Sequence, residues 1–130
     1  MSRYRKILNR IFTSIFLVLL FSINIHASAA DGAALFKANC ASCHKPDKDF
    51  TGPALKGWKD RVPAGDWIYK WIGNSGDVIA SGDAYAKDLF AKWNKTQMTA
   101  FGAQLKKDDI DAILKYVDDY TEVLPPGNPK

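Results

Sequence analysis

The chain has 130 residues and a formal net charge of +4. Four of its 18 Lys+Arg (Arg3, Arg5, Lys6 and Arg10) precede residue 31, whereas all 14 Asp+Glu lie from Asp31 onward. The basic excess therefore belongs to residues 1–30, the rest is formally neutral, and a nucleic-acid-binding reading is excluded.

The basic start is followed by an apolar run from Ile11 to Ile25 and by the small residues Ala27-Ser28-Ala29-Ala30. This is the order of a secretory signal peptide, placed over residues 1–30 with cleavage near Ala29 and Ala30. The run is diluted by Thr13, Ser14, Ser22 and Asn24 and is shorter than the roughly 20 apolar residues of a spanning helix. Export to the periplasm, or to the outer face of the cytoplasmic membrane, is the expectation. An uncleaved anchor is the second reading and the only one that ties the protein to a membrane. Residues 31–122 form one domain. A domain of about 100 residues is marginal on hydrophobic burial alone and commonly carries a staple, metal or cofactor.

Residues 31–37 are predicted helical. Cys40-Ala41-Ser42-Cys43-His44 follows. A disulfide between cysteines three apart closes too short a loop to hold a fold together. The C-x-x-C-H order instead fits covalent attachment of a c-type haem, with two thiols bonding the vinyl edge of the ring and the adjacent imidazole reaching the iron. A thioredoxin-like redox pair calls for a preceding strand and a βαβ pattern, and neither is present. A zinc site calls for three or four ligands, but beyond the leader the chain holds two Cys and one His.

Further along, Trp67, Ile68, Trp71 and Ile72 predict a helix over residues 66–72. The Gly and Ser content of residues 73–82 predicts a loop, with Val78 and Ile79 able to anchor it. Residues 83–93 predict another helix with Leu89, Phe90 and Trp93 inward. The polar run from Trp93 to Gln97, which includes a sequon at Asn94-Lys95-Thr96, predicts a loop leading to Met98. Ile110, Ile113, Leu114, Val117 and Tyr120 share one face of a last helix over residues 108–120. Asp108 and Asp109 suit its first turn, although Lys106 and Lys107 are poor N-caps. The Pro-rich residues 123–130 are expected to be a frayed tail. Every predicted element is helical, and the fold class is all-α.

Beyond the leader, His44 is the only histidine and Met98 the only methionine, 54 positions apart. One imidazole and one thioether make a Met/His axial pair for haem iron. The bland alternative for Met98 is a gap-filling core residue, which its polar, loop-like setting argues against. The four tryptophans are most simply core. Lys45, Lys48, Lys56 and Lys59 follow the motif and either steer an acidic partner or are ordinary solvated residues. The interleaved Asp47, Asp49 and Asp60 favour the latter.

These residues carry a resemblance. Residues 31–122 are similar to a class I c-type cytochrome, a small monohaem domain. Gly32 and Phe36 match the family's small-plus-aromatic pair on the first helix. Ile113 and Tyr116 match the aliphatic-plus-aromatic pair on the last helix, and Gly52-Pro53-Ala54-Leu55 resembles Gly-Pro-x-Leu. Met98-Thr99-Ala100-Phe101 resembles Met-Pro-x-Phe without the proline. The resemblance implies N- and C-terminal helices crossing beside a haem crevice lined by residues such as Leu55 and Phe101. It implies a cofactor set of Cys40, Cys43, His44, Pro53 and Met98, with His44 and Met98 on the iron and the Pro53 carbonyl accepting from the imidazole Nδ1. It also implies that an indole, Trp93 or Trp58, hydrogen-bonds a haem propionate. The implied protein is a monomeric electron carrier of a respiratory chain and not an enzyme. Its partners are a quinol-oxidising complex and a terminal oxidase or reductase. Two rivals are a haem enzyme or ligand-sensing module with a labile Met98, and a membrane-retained subunit of a respiratory complex.

Overall fold

A computed structural model describes residues 3–7 and 30–121. The proposed cleavage site at Ala29 and the tail at 123–130 lie outside the described residues, as does almost all of the leader. Among the described residues no helix is long and apolar enough to cross a membrane.

From residue 30 the described chain forms five α-helices and one 3₁₀ turn. They are α1 (Gly32–Asn39), the turn Trp58–Asp60, α2 (Trp67–Gly73), α3 (Ser75–Ala80), α4 (Ala84–Lys92) and α5 (Lys107–Asp119). The helix starts are set by side chains that satisfy the first orphan N–H groups. Asp31 accepts from Ala33 and Ala34 at 3.0 and 3.2 Å. Asp83 accepts from Ala86 at 2.7 Å. Lys106 cannot cap α5, because an ammonium has no acceptor. The Asp109 carboxylate accepts from the Lys106 N–H at 2.9 Å instead, which is one half of a capping box.

The core is organised by α1 crossing α5. Phe36, Ile110, Ile113, Leu114 and Val117 are buried, and the Phe36 and Tyr116 rings meet at 5.4 Å. The crossing is tight because Gly32 has no side chain: a Cβ there would lie 2.0 Å from the Ala112 carbonyl oxygen. Tyr120, expected on the apolar face, is the C-cap of α5 and half-buried, edge-on to Tyr116.

The remaining helices follow in series, α2 packing on α5, α3 on α2 and α4 on α3. Trp67 and Ile68 of α2 are buried. The Trp67 indole stacks on Trp71 at 5.1 Å and donates to Asp83 at 3.2 Å, tying α2 to the cap of α4. On the outside, Tyr69 donates to Asp111 at 2.5 Å and links α2 to α5. The ammonium of Lys107 and then the Tyr69 hydroxyl hold Asp111 below the usual carboxylate range.

One expectation needs correction. Residues 73–82 are not a loop throughout, because α3 occupies Ser75–Ala80. Asn74 starts it from an extended conformation, its side chain accepting from Gly76 and Asp77 at 3.1 and 3.4 Å. Capping overrides the poor propensity of Ser and Gly here, and Val78 and Ile79 pack against the core as the anchor.

The α1–α5 crossing predicts that Gly32→Ala destabilises the protein by roughly 1–3 kcal/mol or more, as overpacking against fixed backbone does. Denaturant unfolding measures this. A variant indistinguishable from the parent would contradict the crossing.

Candidate haem site

Cys40 is the C-cap of α1, its N–H bonded to the Phe36 carbonyl at 2.8 Å. The chain then turns sharply: the N–H groups of Cys43 and His44 both reach the Cys40 carbonyl, at 3.1 and 2.9 Å. This one turn brings both thiols and the imidazole together. Cys40 packs against the core, whereas Cys43 is exposed. Burial pushes the Cys40 thiol up to about 11. A reactive redox cysteine needs the opposite shift, usually at a helix N-terminus. Cys40 sits at a C-terminus, where the helix dipole also disfavours a thiolate.

The loop after the motif folds back on the imidazole. Gly52 donates to the Cys43 carbonyl at 2.8 Å, and Ala54 donates to the Asp49 carboxylate at 2.8 Å. Lys56 N–H reaches the Pro46 carbonyl at 2.7 Å, and Arg61 holds the Ala54 carbonyl at 2.7 Å. Between these ties the Pro53 carbonyl lies 2.9 Å from His44 Nδ1. A carbonyl only accepts, so Nδ1 carries the proton and the Nε2 lone pair of the neutral ring is left as the donor to a metal. Gly52 lies against the ring itself: a Cβ there would be 2.5 Å from His44 Cε1.

Met98 comes from a separate segment. The chain leaves α4 through Asn94 and Lys95, both left-handed at φ 55° and 57°. Asn tolerates this region readily, but an ordinary side chain is held there at some cost. Met98 is half-buried and packs against the same core as Cys40 and Leu55. Phe101 is buried within that core. The Phe101 and Gly102 N–H groups bond the Ile72 and Gly73 carbonyls at 3.2 and 2.9 Å. The Ser75 hydroxyl donates to the Met98 carbonyl at 3.2 Å. Ser75 is fully buried. Nothing in its sequence surroundings pointed to it, since its partner lies on a different segment.

The chemistry of the donor set fits a covalently held haem: two adjacent thiols, an imidazole with Nε2 presented, and a thioether on the same core. A second observation concerns the indoles. Trp58 Nε1 and Trp93 Nε1 are buried without a hydrogen-bond partner among the described residues. An unpaired buried donor costs about 1–3 kcal/mol, and the carboxylates on a porphyrin edge are acceptors that would satisfy it. The lysines after the motif are partly engaged within the domain. Lys59 pairs with Asp118 at 2.7 Å, and Lys56 donates to the Tyr120 carbonyl at 2.6 Å. Lys45 lies over the exposed Phe50 ring. A depression of about 530 Å³ is lined by Trp58, Tyr69 and charged residues of α5, and none of the five expected site residues contributes to it.

The family model described as cytochrome c matches residues 29–120. A cytochrome c6 of Microcystis aeruginosa is 30% identical over 89 residues, which cover 67% of this chain and 90% of that protein. Among solved structures, cytochrome c from Rhodothermus marinus superposes with a TM-score of 0.56 at 28% identity, covering 74% of this chain and 82% of that one. The cytochrome c domain of a Pseudomonas putida protein gives a TM-score of 0.57 at 24% identity, covering 68% of this chain and 85% of that one. At that identity the second structure speaks for the fold alone.

Proposed function

The chain belongs to the cytochrome c family, and we propose that it serves as an exported carrier of single electrons in a respiratory chain, with His44 and Met98 as its axial ligands. Membership brings an all-α cytochrome c fold, one covalently bound haem c, electron transport as the activity and redox proteins as partners. When bound, the haem supplies an iron that alternates between ferrous and ferric states and so moves one electron at a time.

The observation that carries the reading is the 2.9 Å contact between His44 Nδ1 and the Pro53 carbonyl. It fixes the tautomer, aims Nε2 and raises the basicity of the ring as a ligand. Cys40 and Cys43 would form the thioether bonds. Met98 would fill the position opposite His44, leaving no open site for a substrate, and a thioether there favours the reduced state. Trp93 or Trp58 would donate to a propionate. The partners in this reading are a quinol-oxidising complex and a terminal oxidase or reductase. The leader over residues 1–30 supports a periplasmic location, and the intact mass of the native protein tests its removal.

Attachment is tested by extraction. Haem absorbance should remain with the polypeptide through strong denaturant and acid. A variant carrying Cys40→Ala and Cys43→Ala should lose its colour on the same treatment. Free extraction from the unaltered protein would refute thioether bonding.

The His44 contact is tested by Gly52→Ala. The added methyl should push the ring off the Pro53 carbonyl and lower ligand basicity, which disfavours the ferric state. The reduction potential should therefore rise by about 20–65 mV, the equivalent of losing a hydrogen bond of ~0.5–1.5 kcal/mol. A fall in potential, or none of the expected rise, would contradict this role.

A further inference from the structure

We propose that Ser75 is a positioning residue for Met98, its hydroxyl holding the methionine segment in place of the proline that Met98-Thr99-Ala100-Phe101 lacks. The inference rests on Met98 being the axial ligand. It adds the device that keeps Met98 there.

Three observations converge on the corner between α2 and α3. Ser75 is fully buried, and a serine at such a position needs a partner for its hydroxyl. That partner is the Met98 carbonyl, at 3.2 Å. Beyond Met98, the Phe101 and Gly102 N–H groups are bonded to Ile72 and Gly73, on the same corner. Before Met98, the Gln97 side chain lies over Gly76, where a Cβ would come within 2.5 Å of its Nε2. The segment is thus seated on both sides of the methionine.

Between those seats the backbone has little else. Among the described residues, no backbone–backbone hydrogen bond is made by Gln97, Met98, Thr99 or Ala100. The Ser75 hydroxyl is therefore the polar tie of this stretch. A proline after the methionine would restrict the same backbone by fixing its own φ and confining the residue before it. Here that restriction is supplied from 23 positions away, through a side chain whose own backbone is set by the Asn74 cap. Releasing it should leave the thioether able to leave the iron more often, without unfolding the domain.

The test is the affinity of the ferric holoprotein for added imidazole, which competes with Met98. Ser75→Ala should bind imidazole roughly threefold to tenfold more tightly, the range of one lost hydrogen bond. Thr99→Pro in the Ser75→Ala background should return the affinity toward that of the parent. Val117→Ala, a cavity change in the core of α5, should lower denaturant stability and leave imidazole affinity unchanged under native conditions. If Val117→Ala and Ser75→Ala loosen the methionine equally, Ser75 is merely structural and the proposal fails. Met98→Ala separates this proposal from the ligand assignment. If it binds imidazole no better than the parent, Met98 is not the ligand and both readings fall. If Met98→Ala opens the site and Ser75→Ala does not, only the tether is wrong. Should Ser75→Ala not fold, Thr99→Pro alone decides. With the tether present the proline is redundant, so affinity should change by less than about twofold, and a severalfold weakening would mean the parent loop was untethered.

Discussion

Two helices reach backbone contact only where a side chain is missing, and in this protein that place is Gly32. The first turn of α1 lies directly on the Ala112 carbonyl of α5, and Phe36 and Tyr116 close over the crossing. The cysteines and the imidazole of the candidate site hang from the far end of α1. Cys40 is its C-cap, the next turn presents Cys43 and His44, and the returning loop brings the Pro53 carbonyl to the imidazole. A shift of α1 on α5 would move the whole motif relative to the Met98 segment, which is fixed to α2 and α3 instead.

The two halves of the site are therefore held differently. The histidine side is over-determined: the motif turn, Gly52 against the ring, and hydrogen bonds from Ala54, Lys56 and Arg61 all constrain it. The methionine side has fewer ties, and its approach passes through the left-handed residues Asn94 and Lys95.

Much of this was legible in the sequence because apolar spacing and caps are local signals. The periodicity of Ile110, Ile113, Leu114 and Val117 gave α5 to within a residue at each end. The aromatic and aliphatic spacings likewise located α2 and α4, and the helical reading of residues 31–37 matches α1. The C-x-x-C-H order is also local, since its chemistry depends on thiols one turn apart. What was missed depends on partners distant in the chain. α3 starts because Asn74 folds back on its own backbone, a capping signal obscured by Ser75 and Gly76. The role of Ser75 requires the Met98 carbonyl, and the engagement of Lys56 and Lys59 requires Tyr120 and Asp118. No spacing rule joins those positions. They meet because the segment after α4 folds back onto α3, and the segment around the 3₁₀ turn onto the end of α5.

The central claim is that this chain carries single electrons on a haem whose two axial positions are both filled by its own side chains. A potentiometric titration followed by the visible spectrum, run with and without carbon monoxide, tests it most directly. The account predicts one reversible transition with a slope of about 59 mV per decade, as for a one-electron couple, and the same curve in the presence of the gas. A midpoint that rises when carbon monoxide is added would mean that the reduced iron has an open or readily vacated position, and would contradict the account.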